Sequence, residues 1–133
     1  MNTSQWVSYH FAILRVVPHV HLASFVNVGV VLHARTAEFL AMRAVTDAQA
    51  LQVLAPEVDS ELLARYLACY ASICDGDPGA GPIALVSPSE RFHWITSPRS
   101  DVLQSSPVHE GLGADPARAL DDLFARIVQR EPT

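Results

Sequence analysis

The chain opens on a run of apolar residues with partial alternation. From Trp6 to Val17 (WVSYHFAILRVV) aromatic and β-branched types dominate, and Pro18 closes the run; this predicts a β-strand. Val7, Tyr9, Phe11 and Ile13 share one face. Ser8 and His10 begin the other, which then turns apolar at Ala12, Leu14 and Val16. A strand apolar on both faces belongs in the middle of a sheet, covered on both sides for much of its length. After the segment PHVHLA, the string SFVNVGVVLHA predicts a second strand. It sets Val26, Val28, Val30 and Leu32 on one face and Phe25, Asn27, Gly29, Val31 and His33 on the other. A glycine inside a strand marks a bulge or a close backbone approach. Residues 37–43 (AEFLAMR) predict a third strand, although these types also favour helix.

The middle of the chain changes period. Thr46-x-x-Gln49 has capping-box form and predicts a short helix through about Leu54, ended by Pro56. Asp59 then caps a longer helix to about Cys74. Leu62, Leu63, Tyr66, Leu67, Tyr70 and Ile73 are spaced as its buried face. DGDPGAGP (75–82) is loop. Strands are predicted at Ile83–Val86 and around Arg91–Thr96 (RFHWIT), followed by an irregular stretch over 97–113. Asp115 and Pro116 open a closing amphipathic helix with Leu120, Leu123, Phe124, Ile127 and Val128 as its apolar stripe. The expected fold is α+β: a single domain over residues 1–133, a mostly antiparallel sheet with about three helices packed on one face. The aromatics Tyr9, Phe11, Phe25, Trp94 and Phe124 are expected in its core.

Composition narrows the function classes. Half of the 133 residues are hydrophobic and 17% are charged, which excludes a disordered polyelectrolyte. A net charge of −5 argues against a broad nucleic-acid-binding surface. No stretch reaches the roughly 18 apolar residues of a membrane span, and MNTSQW lacks the charged start of a signal peptide. The expected setting is the cytoplasm. All nine basic residues are arginine, so neither a Schiff-base lysine nor a phosphate-loop lysine exists in this sequence. Cys69 and Cys74, on one predicted helix, are turned about 140° apart and do not face each other.

The strings YHFAILRVVP (9–18), FVNVGVVL (25–32) and RFHWITSPRSDVLQSSPVHEGL (91–112), with the closing helix, resemble a bacterial family known as domain of unknown function 3037. The resemblance covers nearly the whole chain. It implies no particular reaction, but members' genes often lie beside those of HipA-like kinases, which implies a protein partner of that kind. Arg15, Asn27, Gly29, Arg99, Ser100, Gln104, Ser106, Pro107 and His109 match the family pattern. The stretch His19-Val20-His21-Leu22-Ala23-Ser24 departs from it, since the family carries an early acidic residue and an Arg-Gly-Glu-like run there.

Candidate chemistry concentrates in the 97–111 segment. Arg99, with Ser100, Gln104, Ser105, Ser106 and His109, offers a guanidinium fork and hydroxyl or amide donors suited to a phosphate or carboxylate. Were the chain an enzyme, His109 would serve as acid/base, with Ser106 as nucleophile and Glu110 or Asp101 as orienting acid. No Gly-x-Ser-x-Gly elbow supports that arrangement. His19 and His21, alternate residues of an extended segment, are the weak metal candidates, with His10, His33 or His109 to complete a site. Arg15 and Asn27 lie in otherwise apolar strands. If those strands form a hairpin, the two come within about one residue of facing each other and either tie the sheet together or line a pocket beside Gly29. The expected function is a non-enzymatic binding module acting through a protein partner, with no cofactor. The alternative is a small ligand-binding domain or enzyme for a phosphorylated or carboxylated metabolite, using Arg99 and His109. An enzyme needs Arg99 and His109 to converge in a concave pocket. A partner module needs an open sheet edge or an exposed apolar patch.

Overall fold

In the computed structural model, which describes residues 6–17, 25–99 and 102–129, the first apolar run becomes β1 (Val7–Val16). It pairs antiparallel with β2 (Val26–Ala34) on one side, and β2 pairs onward with β3 (Phe39–Ala44). On its other side β1 meets two short strands in tandem. β4 (Leu103–Ser105) lies along Leu14–Val16 and β5 (His109–Gly113) along Val7–Phe11. The 97–113 segment is therefore more regular than its Pro, Ser and Gly content predicts. The unpaired edge of β1 supplies the hydrogen-bonding partner that the local sequence does not specify.

Register explains Gly29. Leu14 pairs with Gly29 but Arg15 pairs with Asn27, so Val28 is the extra residue of a β-bulge. A Cβ on Gly29 would sit 3.0 Å from both the Ala44 Cβ and the Arg43 carbonyl oxygen. Bulge and close approach are both present, and the space over Gly29 is filled by β3.

The bulk of the helical layer lies on one face. α1 (Ala48–Leu54) and α2 (Ser60–Cys74) begin where aspartates accept backbone N–H bonds. Asp59 caps α2 as its sequence indicates, but the cap of α1 is Asp47, accepting from Gln49 and Ala50, rather than Thr46. Leu63, Leu67, Tyr70 and Ile73 of α2 pack with Ala12, Leu14, Val16 and Val31 of the sheet. Two of the predicted strands are helical instead. Residues Pro82–Leu85 form a 3-10 turn, and RFHWIT belongs to a helix, α3 (Pro88–Thr96). The deciding signal is Ser87-Pro88-x-Glu90. The Ser87 hydroxyl oxygen accepts from the Glu90 N–H and its O–H donates to the Glu90 carboxylate, with proline at the first helical position.

The closing helix, α4 (Pro116–Ile127), packs on the opposite face, against Val30, Leu32 and Ala34 of β2 and Phe39 and Ala41 of β3. These residues alternate with those buried under α2. The described residues thus hold four α-helices on both faces of the sheet, rather than about three on one. Arg43 of β3 ties α4 down, donating to Asp121 at 2.6 Å with its guanidinium over the Phe124 ring.

Helix α4 reaches β2 and β3 but covers β1 incompletely. On the α2 side Ala12, Leu14 and Val16 are buried, whereas on the α4 side Tyr9, Phe11, Ile13 and Arg15 all keep part of their surface in solvent. Of the five aromatics expected in the core, only Phe124 is buried, and Phe25 is 50% exposed. Among the described residues no helix is long and apolar enough to cross a membrane.

Candidate functional site

The side chains singled out in the sequence lie around β4 and the start of β5, in two groups separated by the sheet. On the α2 side, Arg99, Ser105 and Ser106 line one cleft of about 360 Å³ together with Thr96, Pro98 and Pro107, and strand residue Gln104 borders it. Within it the Arg99 guanidinium already has partners. It donates to the Tyr70 hydroxyl at 3.0 Å, to the Ile95 carbonyl at 3.3 Å and to the Trp94 carbonyl, and it lies 4.0 Å from the centre of the Trp94 ring. These carbonyls belong to the last turn of α3, where that of Trp94 also accepts from the Ser97 N–H at 3.4 Å, so Arg99 helps to close that helix and complements its dipole.

Ser106 is likewise held by the main chain. Its N–H donates to the Ile13 carbonyl at 2.8 Å, its hydroxyl oxygen accepts from the Ile13 N–H at 2.8 Å, and its O–H donates to the Pro107 carbonyl at 2.8 Å. One extra residue between Ser106 and His109 breaks the ladder to β1, and the hydroxyl stands in for the carbonyl that a regular strand would present. His109 stands across the sheet from Arg99. It pairs with Phe11, and the two rings are 5.2 Å apart. Glu110 points to the other face and contacts His10 Nε2 at 3.2 Å. Ser106, His109 and Glu110 are therefore not brought together. Ser100, Asp101, His19 and His21 lie outside the described residues. Among the described residues no three His, Cys, Asp or Glu side chains cluster as metal ligands.

The second group is a row across the open face. Arg15 pairs with Asn27 on one side and with Gln104 on the other, so the two strand-embedded polar residues face each other directly. The Arg15 guanidinium lies 3.8 Å from the centre of the Phe25 ring, and its Nε is buried without a hydrogen-bond partner. Phe25 is a member of this site that hydrophobicity assigned to the core. The signal available in the sequence was its place two residues before Asn27, on the face of β2 that the bulge turns toward Arg15.

A third row, His33–His10–Glu110, crosses the same strands on the α2 side. His33 is buried and packed on the Phe92 ring at 5.4 Å. Burial, followed by the charges of His10, Arg35 and Arg91, holds its pKa below the ordinary 6.5. The folded protein thus binds fewer protons here than the unfolded chain. The stabilisation is complete above pH 6.5 and declines as the pH falls below it. Urea midpoints measured from pH 7.5 to 5 should decrease through the lower half of that range in the native protein and less steeply in His33→Phe. Parallel slopes would remove His33 as the cause.

The chain belongs to the family described as "Protein of unknown function (DUF3037)", whose model matches residues 11–128. No curated protein and no solved structure matches it.

Proposed function

We propose that this family member is a non-enzymatic binding module of the cytoplasm that acts through a protein partner, with a HipA-like kinase as the first candidate. One observation carries the reading: Arg99 and Ser106 are engaged internally while, among the described residues, the sheet beside them is open. Arg99 and Ser106 bond to backbone and to Tyr70. No further strand pairs with β4 or β5 among the described residues. The adjoining sheet face offers Tyr9, Phe11 and Arg15 of β1 with Phe25 and His109 beside them, a composition of aromatics and arginine typical of interface anchors. The second reading, a ligand-binding domain or enzyme for a phosphorylated or carboxylated metabolite, has the Arg99 cleft in its favour. Its acid/base candidate, His109, stands on the opposite face.

The test is size-exclusion chromatography of the protein mixed with a HipA-like kinase from the same genome, followed by amide hydrogen exchange on the complex. The expected result is a stoichiometric complex with slowed exchange in β1, β4 and β5. Phe25→Ala and His109→Ala should each weaken it by about tenfold or more, as truncated interface anchors do. Separate elution with no protection of those strands would count against the module. Protection of Arg99 by inorganic phosphate alone would favour the second reading.

A further inference from the structure

We propose that Arg15 is the anchor of a carboxylate-binding site on the open sheet face, where a protein partner inserts an aspartate or glutamate side chain. This rests on the partner-binding reading and names the chemistry the partner must carry.

Three other arginines have partners within the fold. Arg43 is paired with Asp121, Arg91 donates to the carbonyls of Ile73, Cys74 and Val86, and Arg99 to those of Trp94 and Ile95. Arg15 makes no hydrogen bond or ion pair among the described residues, and its Nε is removed from water. A buried N–H without an acceptor is rare in folded proteins and calls for an explanation. The chain carries 14 acidic residues against nine basic ones, yet none of the described acids is set against this guanidinium.

Geometry adds direction. The guanidinium carbon lies 3.8 Å from the centre of the Phe25 ring, and with Nε shut off from water a carboxylate would meet the planar guanidinium through its outer N–H groups. Asn27, directly across on β2, has a carboxamide able to donate to the same group. Phe11 and Ile13, on the same face of the same strand, provide the surface that apolar neighbours of the inserted residue would cover. A free small acid would leave that surface in water, so the site suits a carboxylate presented on a peptide.

The experiment follows the Arg Nε–Hε resonances of ¹⁵N-labelled protein by NMR. Three probes are added: a blocked heptapeptide alternating valine and glutamate, the same peptide with glutamine for glutamate, and sodium acetate. The glutamate peptide should shift the Arg15 signal saturably and leave that of Arg99 in place. Acetate should act about tenfold more weakly and the glutamine peptide not at all, because charge and fork geometry are both needed. In Arg15→Met, which keeps an apolar side chain beside Phe25, the glutamate peptide should no longer shift the backbone amides of Phe25 and Asn27 that it shifts in the native protein, and Arg15→Lys should restore only part of those shifts. No Arg15 shift, or equal shifts from the two peptides, would overturn the assignment. So would acetate matching the glutamate peptide, since the site would then serve a free acid. If a partner complex forms and Arg15→Met binds it as well as native protein, this inference falls while the binding-module reading stands.

Discussion

Arg91→Ala should lower the unfolding free energy by about 3 kcal/mol, a large fraction of what a domain of this size has to lose. Arg91 lies in α3, but its guanidinium serves α2. Nη1 donates to the carbonyls of Ile73 and Cys74, each at 2.9 Å, and Nε donates to the Val86 carbonyl at 3.1 Å. The last carbonyls of a helix lack intrahelical partners and carry the negative end of its dipole; that of Ile73 also accepts from the Gly76 N–H at 3.1 Å. One half-buried cation therefore completes the end of α2 and ties it to the turn leading into α3. Hydrogen bonds to a charged group contribute roughly 1.5–3 kcal/mol each, and three sharing one guanidinium do not add in full. Water replaces part of what is lost, which brings the expected figure to about 3 kcal/mol. Urea unfolding checks it. Arg91→Lys should recover less than half of the loss, because an ammonium on a flexible stem lacks the fork that spans both elements. A loss below about 1 kcal/mol for the alanine variant would mean that solvent satisfies these carbonyls unaided.

The role of Arg91 also marks where the sequence stops being legible. β1, β2, α2 and α4 are readable because their signals are local: alternation over ten residues, Asp59 before a 3.6-residue apolar period, and Asp115-Pro116 before another. RFHWIT looks like a strand because aromatic and β-branched residues cluster in it. The Ser87-Pro88-x-Glu90 start, three residues upstream, outweighs that composition. β4 and β5 are short and contain or border Pro107, Gly111 and Gly113, so no local rule predicts them. They form because β1 has a free edge. At Gly111 the missing side chain leaves room for the Tyr9 ring, which a Cβ there would displace. The candidate site divides along the same line. Arg15 and Asn27 stand out as polar residues in apolar strands, and the hairpin register places them opposite each other. Arg99 and Ser106 stand out in the sequence only as polar residues of a loop. Their partners are carbonyls and amides of distant elements, and nothing in the sequence around them records those contacts.

Ser106 permits the sharpest separation of a structural from a chemical role. Ser106→Ala should cost about 2 kcal/mol, because it removes the acceptor of the Ile13 N–H and the donor to the Pro107 carbonyl together. Pro107 has no N–H, and the bulge carries the next residues out of register with β1. No neighbouring backbone group is placed to take over, and water is largely kept out by burial of Ser106 at 4% exposure. Exchange of the Ile13 amide should accelerate in the alanine variant while amides of α2 away from the sheet change only with global stability. Ser106→Thr keeps the hydroxyl and should restore Ile13 protection, with a smaller loss from the added methyl. A serine acting as nucleophile would show the opposite pattern: alanine would abolish turnover of a substrate and leave the protein as stable as before. Unchanged stability and unchanged Ile13 exchange in Ser106→Ala would therefore release the hydroxyl from the ladder and return Ser106 to the list of chemical groups facing the Arg99 cleft.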